Sequence, residues 1–133
     1  MKPEILALCR YASERDGQLS IIDTFDSIVV TKLPWRDYFY IVAKINIIDC
    51  DVDYETFVLS IHCKDESEKQ IFKAASRFIP PKDLGKLNIV AGLKGLIFEA
   101  AGNYCFRICM DETVIAEYPF KVILKDNDGS ASV

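Results

Sequence analysis

The chain has 133 residues, of which 50% are hydrophobic and 27% are charged, and its formal net charge is −4 at pH 7. One domain of this length removes roughly 65–70% of its unfolded surface from water, and the composition excludes a disordered or collagen-like chain. Because the balance is acidic and the basic residues are scattered, we expect no nucleic-acid partner.

The start of the chain predicts a hairpin followed by a crossing between two sheets. Residues 5–12 form a candidate strand, Gly17 supplies a turn that tolerates positive φ, and residues 18–25 return as the hairpin partner. Residues 27–31 continue in an extended conformation. Pro34 then interrupts strand pairing, because proline has no N–H to donate, and we expect the chain to change sheets there.

The longest predicted strand covers residues 38–48, where side chains of two kinds alternate. The face predicted to be buried consists of Phe39, Ile41, Ala43, Ile45 and Ile47. The face predicted to be in water consists of Tyr38, Tyr40, Lys44 and Asn46.

The middle of the chain predicts three more strands. Residues 54–64 alternate, and their predicted inward side chains are Phe57, Leu59, Ile61 and Cys63. Residues 70–79 also fit a helical stripe, but their length and the prolines that follow favour a strand. Residues 86–95 contain Gly92 and Gly95, which indicates a β-bulge or a close approach of backbone.

The C-terminal part predicts a second hairpin, formed by residues 102–110 and 114–122. One face of its first strand is predicted to carry Tyr104, Phe106, Ile108 and Met110, and the other Cys105, Arg107 and Cys109. An apolar face of this kind needs a second layer, so we predict a single antiparallel β-sandwich of seven to nine strands over residues 1–124. Tyr104 is also a candidate for a tyrosine corner. Residues 125–133 are predicted to be a polar tail.

Two parts of the chain resemble a known family. The stretches that carry the resemblance are residues 8–11 and 16–28, and then 87–90, 95–99, 102–106 and 119–122, which include the pattern Gly102-Asn103-Tyr104-Cys105-Phe106. They are similar to a widespread family of uncharacterised small bacterial proteins, over nearly all of residues 4–124. The resemblance implies an immunoglobulin-like antiparallel sandwich of unknown function, and it supplies no catalytic residues.

Cysteine usage and hydropathy indicate a cytoplasmic location. The five cysteines include no Cys-x-x-Cys pair, so neither a disulfide framework nor a zinc site is predicted, and we expect free thiols. The apolar run at residues 5–9 ends at Arg10, short of the roughly 7–15 residues of a secretory signal core. No run approaches the roughly 18 residues of a membrane-spanning helix, so we expect no membrane partner.

An acidic segment is the weak candidate for a metal site. Asp49, Asp51 and Asp53 alternate in a predicted loop, and carboxylate oxygens are ligands for calcium. A calcium loop that begins at Asp49 would need glycine and glutamate where the chain has Tyr54 and Ser60. We therefore predict no metal and no cofactor, and we expect excess calcium to leave the thermal unfolding midpoint unchanged.

Catalytic residues are not predicted. His62 is the sole histidine, and the chain has no Gly-x-Ser-x-Gly nucleophile elbow. Cys63 points to the opposite face of the strand, and Cys105 would react only if its pKa were lowered, which Arg107 could do weakly. We expect His62 to be an exposed strand residue and the protein not to be an enzyme.

Aromatic residues on faces assigned to solvent are the remaining signal, although tyrosine also suits strands by propensity alone. They are Tyr11, Trp35, Tyr38, Tyr40 and Tyr54. We predict a non-catalytic protein-interaction or assembly module. The predicted partner is another protein or a second copy of the chain. A second copy would form a homodimer around Tyr38 and Tyr40, with Trp35 at the margin. The reason is that residues 38–42 contain none of the features that protect an edge strand from pairing with another chain. The alternative is a ligand- or calcium-binding sandwich that uses its acidic loops.

Overall fold

The computed structural model describes residues 2–46, 56–65, 67–77, 86–110, 112–125 and 131–132. These residues form strands and no helix. The strands are β1 Lys2–Arg15, β2 Gln18–Phe25, β3 Ser27–Val30, β4 Trp35–Asn46, β5 Thr56–Cys63, β6 Lys69–Arg77, β7 Lys86–Phe98, β8 Gly102–Met110, β9 Thr113–Lys125 and β10 Ala131–Ser132. The predicted all-β class is confirmed.

Two sheets make up the fold. Sheet A has the strand order β2-β1-β4-β7, and sheet B has the order β10-β9-β8-β5-β6, with β3 also paired to β9. Neighbouring strands are antiparallel except β3 and β9, which run parallel with Ser27 opposite Lys121 and Val30 opposite Leu124. The β-sandwich prediction is confirmed, but the sequence did not predict this parallel pair. Part of the predicted polar tail forms strands. Lys125 ends β9 and pairs with Ala131 of β10, which also lies in the tail.

The core between the sheets is rich in aromatic rings. The ring of Phe98 meets Tyr104 edge-on at 5.1 Å and Phe120 edge-on at 6.1 Å between centroids, and it stacks on Phe39 at 6.4 Å. The largest fully buried side chains are Phe39, Phe98, Phe106, Phe120, Leu8, Ile28, Ile41, Ile45, Ile61, Ile108, Met110 and Val30. The inward faces predicted for β4 and β8 are therefore confirmed, and Ile47 lies outside the described residues.

The connections match several predictions. Strand β3 belongs to sheet B and β4 to sheet A, so the predicted crossing at Pro34 is confirmed, and the Leu33–Pro34 peptide is cis. The ambiguous segment 70–79 is a strand through Arg77. Gly95 forms the predicted bulge, since the pairing with β4 skips it and its φ is +82°. The Tyr104 hydroxyl donates to the Ala100 carbonyl at 2.6 Å, as a tyrosine corner does.

The position of β4 corrects the prediction of an unguarded edge. Strand β4 pairs with β1 on one side and β7 on the other, so residues 38–42 lie in the middle of sheet A. Residues 38–42 need no proline or lysine to prevent pairing with another chain, because their backbone groups are hydrogen-bonded to strands on both sides. The prediction was wrong because alternation identifies a strand without identifying its neighbours.

The half of the β1–β2 hairpin that contains its turn folds over the outer face of sheet A. Cys9, Ala12 and Val42 form a second buried cluster, separate from the main core, and partly buried hydrophobic residues pack against it. They are Ile5, Leu19, Ile21, Tyr40 and Val90. At the hairpin tip, Asn88 Nδ2 of β7 donates to the Gly17 carbonyl at 3.4 Å. The outer face of β4, predicted to be in water, is therefore partly covered.

Candidate functional site

Exposed hydrophobic side chains gather on the outer face of sheet A. Tyr38 is 58% exposed and Tyr11 is 48% exposed, and Ile22, paired with Tyr11 across the hairpin, is 51% exposed. Tyr40 lies beside them, half-buried on the same face of β4 as Tyr38. We call these four residues the outer aromatic patch. The sequence pointed to its tyrosines but missed Ile22, although the adjacent Ile21 and Ile22 of one strand must face opposite ways.

Ring packing holds the patch in place. The rings of Tyr11 and Tyr40 meet edge-on, with centroids 5.5 Å apart and planes inclined at 71°. Tyr40 in turn lies against Gly92 of β7, where an added Cβ would come within 3.1 Å of the Tyr40 Cε1 atom. Glycine at this position leaves room for the ring. The aromatic surface is therefore fixed before any partner arrives.

A buried carboxylate anchors the end of the patch near Tyr38. The side chain of Asp37 accepts hydrogen bonds from Arg10 Nη1 at 2.6 Å and from the Tyr38 backbone N–H at 2.7 Å. Arg10 also lies over the Phe25 ring, 4.5 Å from its centroid. Since the Asp37 side chain is 10% exposed, these donors stabilise a largely desolvated charge and fix the local course of β4.

Trp35 does not join the patch. It shares the core-facing side of β4 with Asp37 and Phe39, packs against the main core, and donates its indole N–H to Asp37 Oδ2 at 3.3 Å. The structure thus brings Tyr38 and Tyr40 together and leaves Trp35 on the other face. The odd numbering that Trp35 shares with Phe39 was the signal that sequence reasoning missed. Tyr54 lies outside the described residues.

The outer face of sheet B carries an ionic network instead of aromatic rings. Arg107 bridges two strands and a turn, with Nε 3.0 Å from Glu117 and Nη2 2.5 Å from Glu68. Lys64 donates to Glu68 at 2.7 Å. The hydrogen bonds from Lys64 and Arg107 lower the pKa of Glu68 to about 2. These charges neutralise one another within the chain.

His62 lies in the same face and forms a pair with Ser60. Its Nδ1 atom is 3.3 Å from the Glu68 carbonyl oxygen, and its Nε2 atom is 2.9 Å from the Ser60 hydroxyl. A carbonyl can only accept, so in the neutral ring Nδ1 carries the proton and Nε2 accepts from Ser60. A serine nucleophile donates to its histidine base in the same way. Ser60, however, is only 4% exposed and lies within a strand of the sheet, so a substrate has little access to its hydroxyl. His62 is half-buried, not the exposed residue that was predicted.

Burial opposes activation of the Cys105 thiol. Cys9, Cys63, Cys105 and Cys109 are free, and Cys50 lies outside the described residues. Burial raises the pKa of the Cys105 thiol, and this outweighs the smaller lowering from Arg107. Cys105 therefore stays protonated at neutral pH.

The predicted metal candidates lie beyond what the structure describes. Asp49, Asp51 and Asp53 fall in the undescribed residues 47–55. Among the described residues there is no group of three or more His, Cys, Asp or Glu side chains placed to hold a metal ion. A described acid has a structural role: Asp65 accepts from the Asn103 backbone N–H at 2.7 Å, and this bond lowers the pKa of its carboxyl. Asp65 therefore closes the end of the sandwich.

The part of the chain that the structure describes contains no helix with the length and apolar character of a membrane span.

Comparison with known proteins identifies a family but no activity. No curated protein matches the sequence. The sequence model of a family of unknown function, DUF6941, matches residues 4–123, which span both sheets from β1 into β9. The chain therefore belongs to this family of unknown function.

Proposed function

We propose that the protein is a non-catalytic interaction module that binds a protein partner through the outer aromatic patch. The observation that carries the proposal is that Tyr11, Ile22 and Tyr38 are each about half exposed and are linked through Tyr40. Tyr11 pairs with Ile22 and meets the Tyr40 ring, and Tyr38 lies two residues from Tyr40 on the same face of β4. Tyrosine is enriched at protein interfaces because it buries a large ring and keeps a hydroxyl for hydrogen bonds. A contiguous apolar surface of this kind is typical of a binding site.

The rigidity of the patch supports this function. Tyr40 is held between Tyr11 and Gly92, and the backbone at Tyr38 is fixed by Asp37. A partner that binds here orders few additional side chains, which reduces the entropic cost of association. The half-buried Tyr40 supports the exposed rings and contributes less contact area of its own.

A second copy of the chain is the first partner to test. A two-fold contact places the same patch on both sides, so Tyr11 and Tyr38 of one copy would meet those of the other. Tyrosine pairs suit such a contact, because edge-to-face rings and hydroxyl groups are both self-complementary. The proposal is a homodimer formed face to face on sheet A, and not one formed by strand addition at β4.

Light scattering after size-exclusion chromatography tests this at micromolar concentration. We expect a dimer for the wild type and a monomer for Tyr38→Lys, which places a charge in the centre of the contact. The matched control is Val114→Lys, because Val114 is 50% exposed on β9, away from the patch. Tyr38 is a better target than Tyr40, whose ring also covers Gly92.

The outcomes separate the two kinds of partner. A monomeric wild type rules out the homodimer, and the tagged wild type and Tyr38→Lys variant then serve as paired baits in native lysate. A partner retained by the wild type and lost by the variant supports the interaction function. If both baits retain the same proteins, the patch is not the binding surface.

Other expectations stay predictions from the sequence. They are the immunoglobulin-like topology, the bacterial origin and the cytoplasmic location. The alternative of a ligand- or calcium-binding sandwich depends on Asp49, Asp51 and Asp53, which the structure does not describe. The calcium titration proposed from the sequence tests that alternative directly.

A further inference from the structure

A second surface lies along one side of the sandwich, where an edge strand of each sheet is exposed. Strand β6 ends sheet B and β7 ends sheet A, and the two strands approach each other along this side. Among the described residues, neither has a strand paired on its outer side. Within the described part of the chain, the outer backbone edge of β6 around Lys73 and Ala74 has no paired strand and can pair with another chain.

An apolar slot opens between these two strands. Its volume is about 460 Å³, and its lining includes Leu59, Phe72, Ala74, Ala91, Leu93 and Leu96. Ala74 pairs with Leu59, a member of the main core, and so faces the inside of the sandwich, yet it is exposed. The small side chain leaves the inner face of β6 uncovered at a position where a large apolar side chain would close the core.

Positive charge lies beside the slot. Lys73, between the inward Phe72 and Ala74, points to the outer face of β6, and Lys94 of β7 lines the slot. Both lysines are exposed, and within the described residues neither forms an ion pair with a carboxylate. In a chain of net charge −4 this is a local excess of cations. Nearer the other end of β6, Lys69 lines a different pocket, whose lining also includes the acidic residue Glu99.

We propose that the slot binds an extended segment of a partner protein in which apolar residues alternate with aspartate or glutamate. The segment adds as a strand to the free edge of β6. Its apolar side chains then enter the slot over Ala74, and its acidic side chains lie beside Lys73, because successive residues of a strand face opposite sides. This surface adjoins the outer aromatic patch, since Lys94 pairs with Tyr38, and it adds a second binding site to the proposed interaction function.

A synthetic peptide tests the site without knowledge of the partner. The probe has about seven residues, the length of an ordinary strand, with glutamate alternating with isoleucine and with both ends blocked. We expect it to bind the full chain in a calorimetric or fluorescence-anisotropy titration, and a peptide with lysine in place of glutamate to bind at least about fivefold more weakly. Two further peptides carry N-methyl groups on alternate amides. One of these two should lose binding, because it cannot donate to the edge of β6.

Two variants locate the binding, and two others serve as controls. Ala74→Phe fills the slot and should abolish binding, and Lys73→Glu should weaken binding of the acidic peptide about fivefold while strengthening that of the lysine peptide. Lys121→Glu reverses an exposed charge on β9, at the opposite side of sheet B, and should leave affinity unchanged. Ile22→Lys changes the aromatic patch on β2, at the opposite edge of sheet A from β7, and should also leave affinity unchanged, which keeps this test independent of the patch.

Several results would overturn the proposal. They are no binding to the wild type at millimolar peptide, equal binding of both N-methylated peptides, and binding that survives Ala74→Phe with the fold intact by circular dichroism. A dimer that Lys73→Glu dissociates would assign the slot to a second copy of the chain and also contradict the proposal.

Discussion

The outer faces of the two sheets carry different chemistry. On sheet A, a folded-back hairpin buries Val42 and leaves tyrosines exposed beside it. On sheet B, Arg107 joins Glu68 and Glu117, so charged groups find their partners within the chain. A face whose polar groups are already satisfied gains little from a partner, whereas exposed rings gain from being covered. The comparison therefore favours sheet A as the recognition face.

The largest expected effect comes from the core that supports both faces. Phe106→Ala removes a fully buried ring from between the sheets and should lower the free energy of unfolding by about 3–5 kcal/mol. Urea denaturation followed by circular dichroism measures the change. A midpoint equal to that of the wild type would place Phe106 outside the core.

A matched pair of valines tests the difference between the faces. Val42→Ala, beneath the hairpin, should cost about 2 kcal/mol of unfolding free energy, because the side chain is fully buried. Val58→Ala is the control on the outer face of sheet B, where the side chain is half-buried, and it should cost less than about 1 kcal/mol. If both variants lost the same unfolding free energy in this denaturation experiment, the hairpin would not bury Val42 in solution.

A smaller effect is expected at the end of the sandwich, which belongs to neither face. Tyr104→Phe removes the hydroxyl that donates to the Ala100 carbonyl and should cost about 1 kcal/mol. Because the ring stays in the core, the variant isolates the hydrogen bond from the packing. An unchanged unfolding midpoint would show that water replaces the lost bond at no cost.

The ionic face should respond to pH. The pKa of Glu68 falls from 4.5 to about 2 in the folded state, so its stabilising effect is complete above the unfolded value and is lost as the pH falls towards 2. The difference in thermal midpoint between the wild type and Glu68→Gln should therefore shrink across this range, and also shrink in high salt. Glu112→Gln, which removes an exposed carboxylate elsewhere, is the control. A difference independent of pH would exclude the network as its source.

Alternation in the sequence was enough to identify the strands and their buried faces. Phe39, Ile41 and Ile45 lie on one side of β4 as predicted, and Tyr104, Phe106 and Ile108 lie on one side of β8. The bulge was also predictable, because Gly95 interrupts a hydrophobic run and only glycine takes its φ readily. These features depend on residues that are close together in the chain, so a short stretch of sequence is enough to predict them.

Strand neighbours were not predictable in the same way. The run 38–42 has the same alternation at an edge as in the middle of a sheet, so its place between β1 and β7 could not be read from it. The cover on Val42 comes from residues far along the chain, with Asn88 meeting Gly17 at the hairpin tip. Ser60 is different: its spacing of two from His62 places both on one face, and that signal was present in the sequence.

The parallel pair of β3 and β9 has a consequence for synthesis of the protein. Ile28 and Val30 are almost fully buried, but the residues that pair with β3, 121–124, are translated 94 residues later, since Ser27 pairs with Lys121. The Tyr118 hydroxyl also donates to the Phe25 carbonyl from the same late segment. While the chain grows, the early strand cannot complete sheet B and stays open to incorrect pairing. The ribosome must therefore deliver β9 before β3 can finish folding.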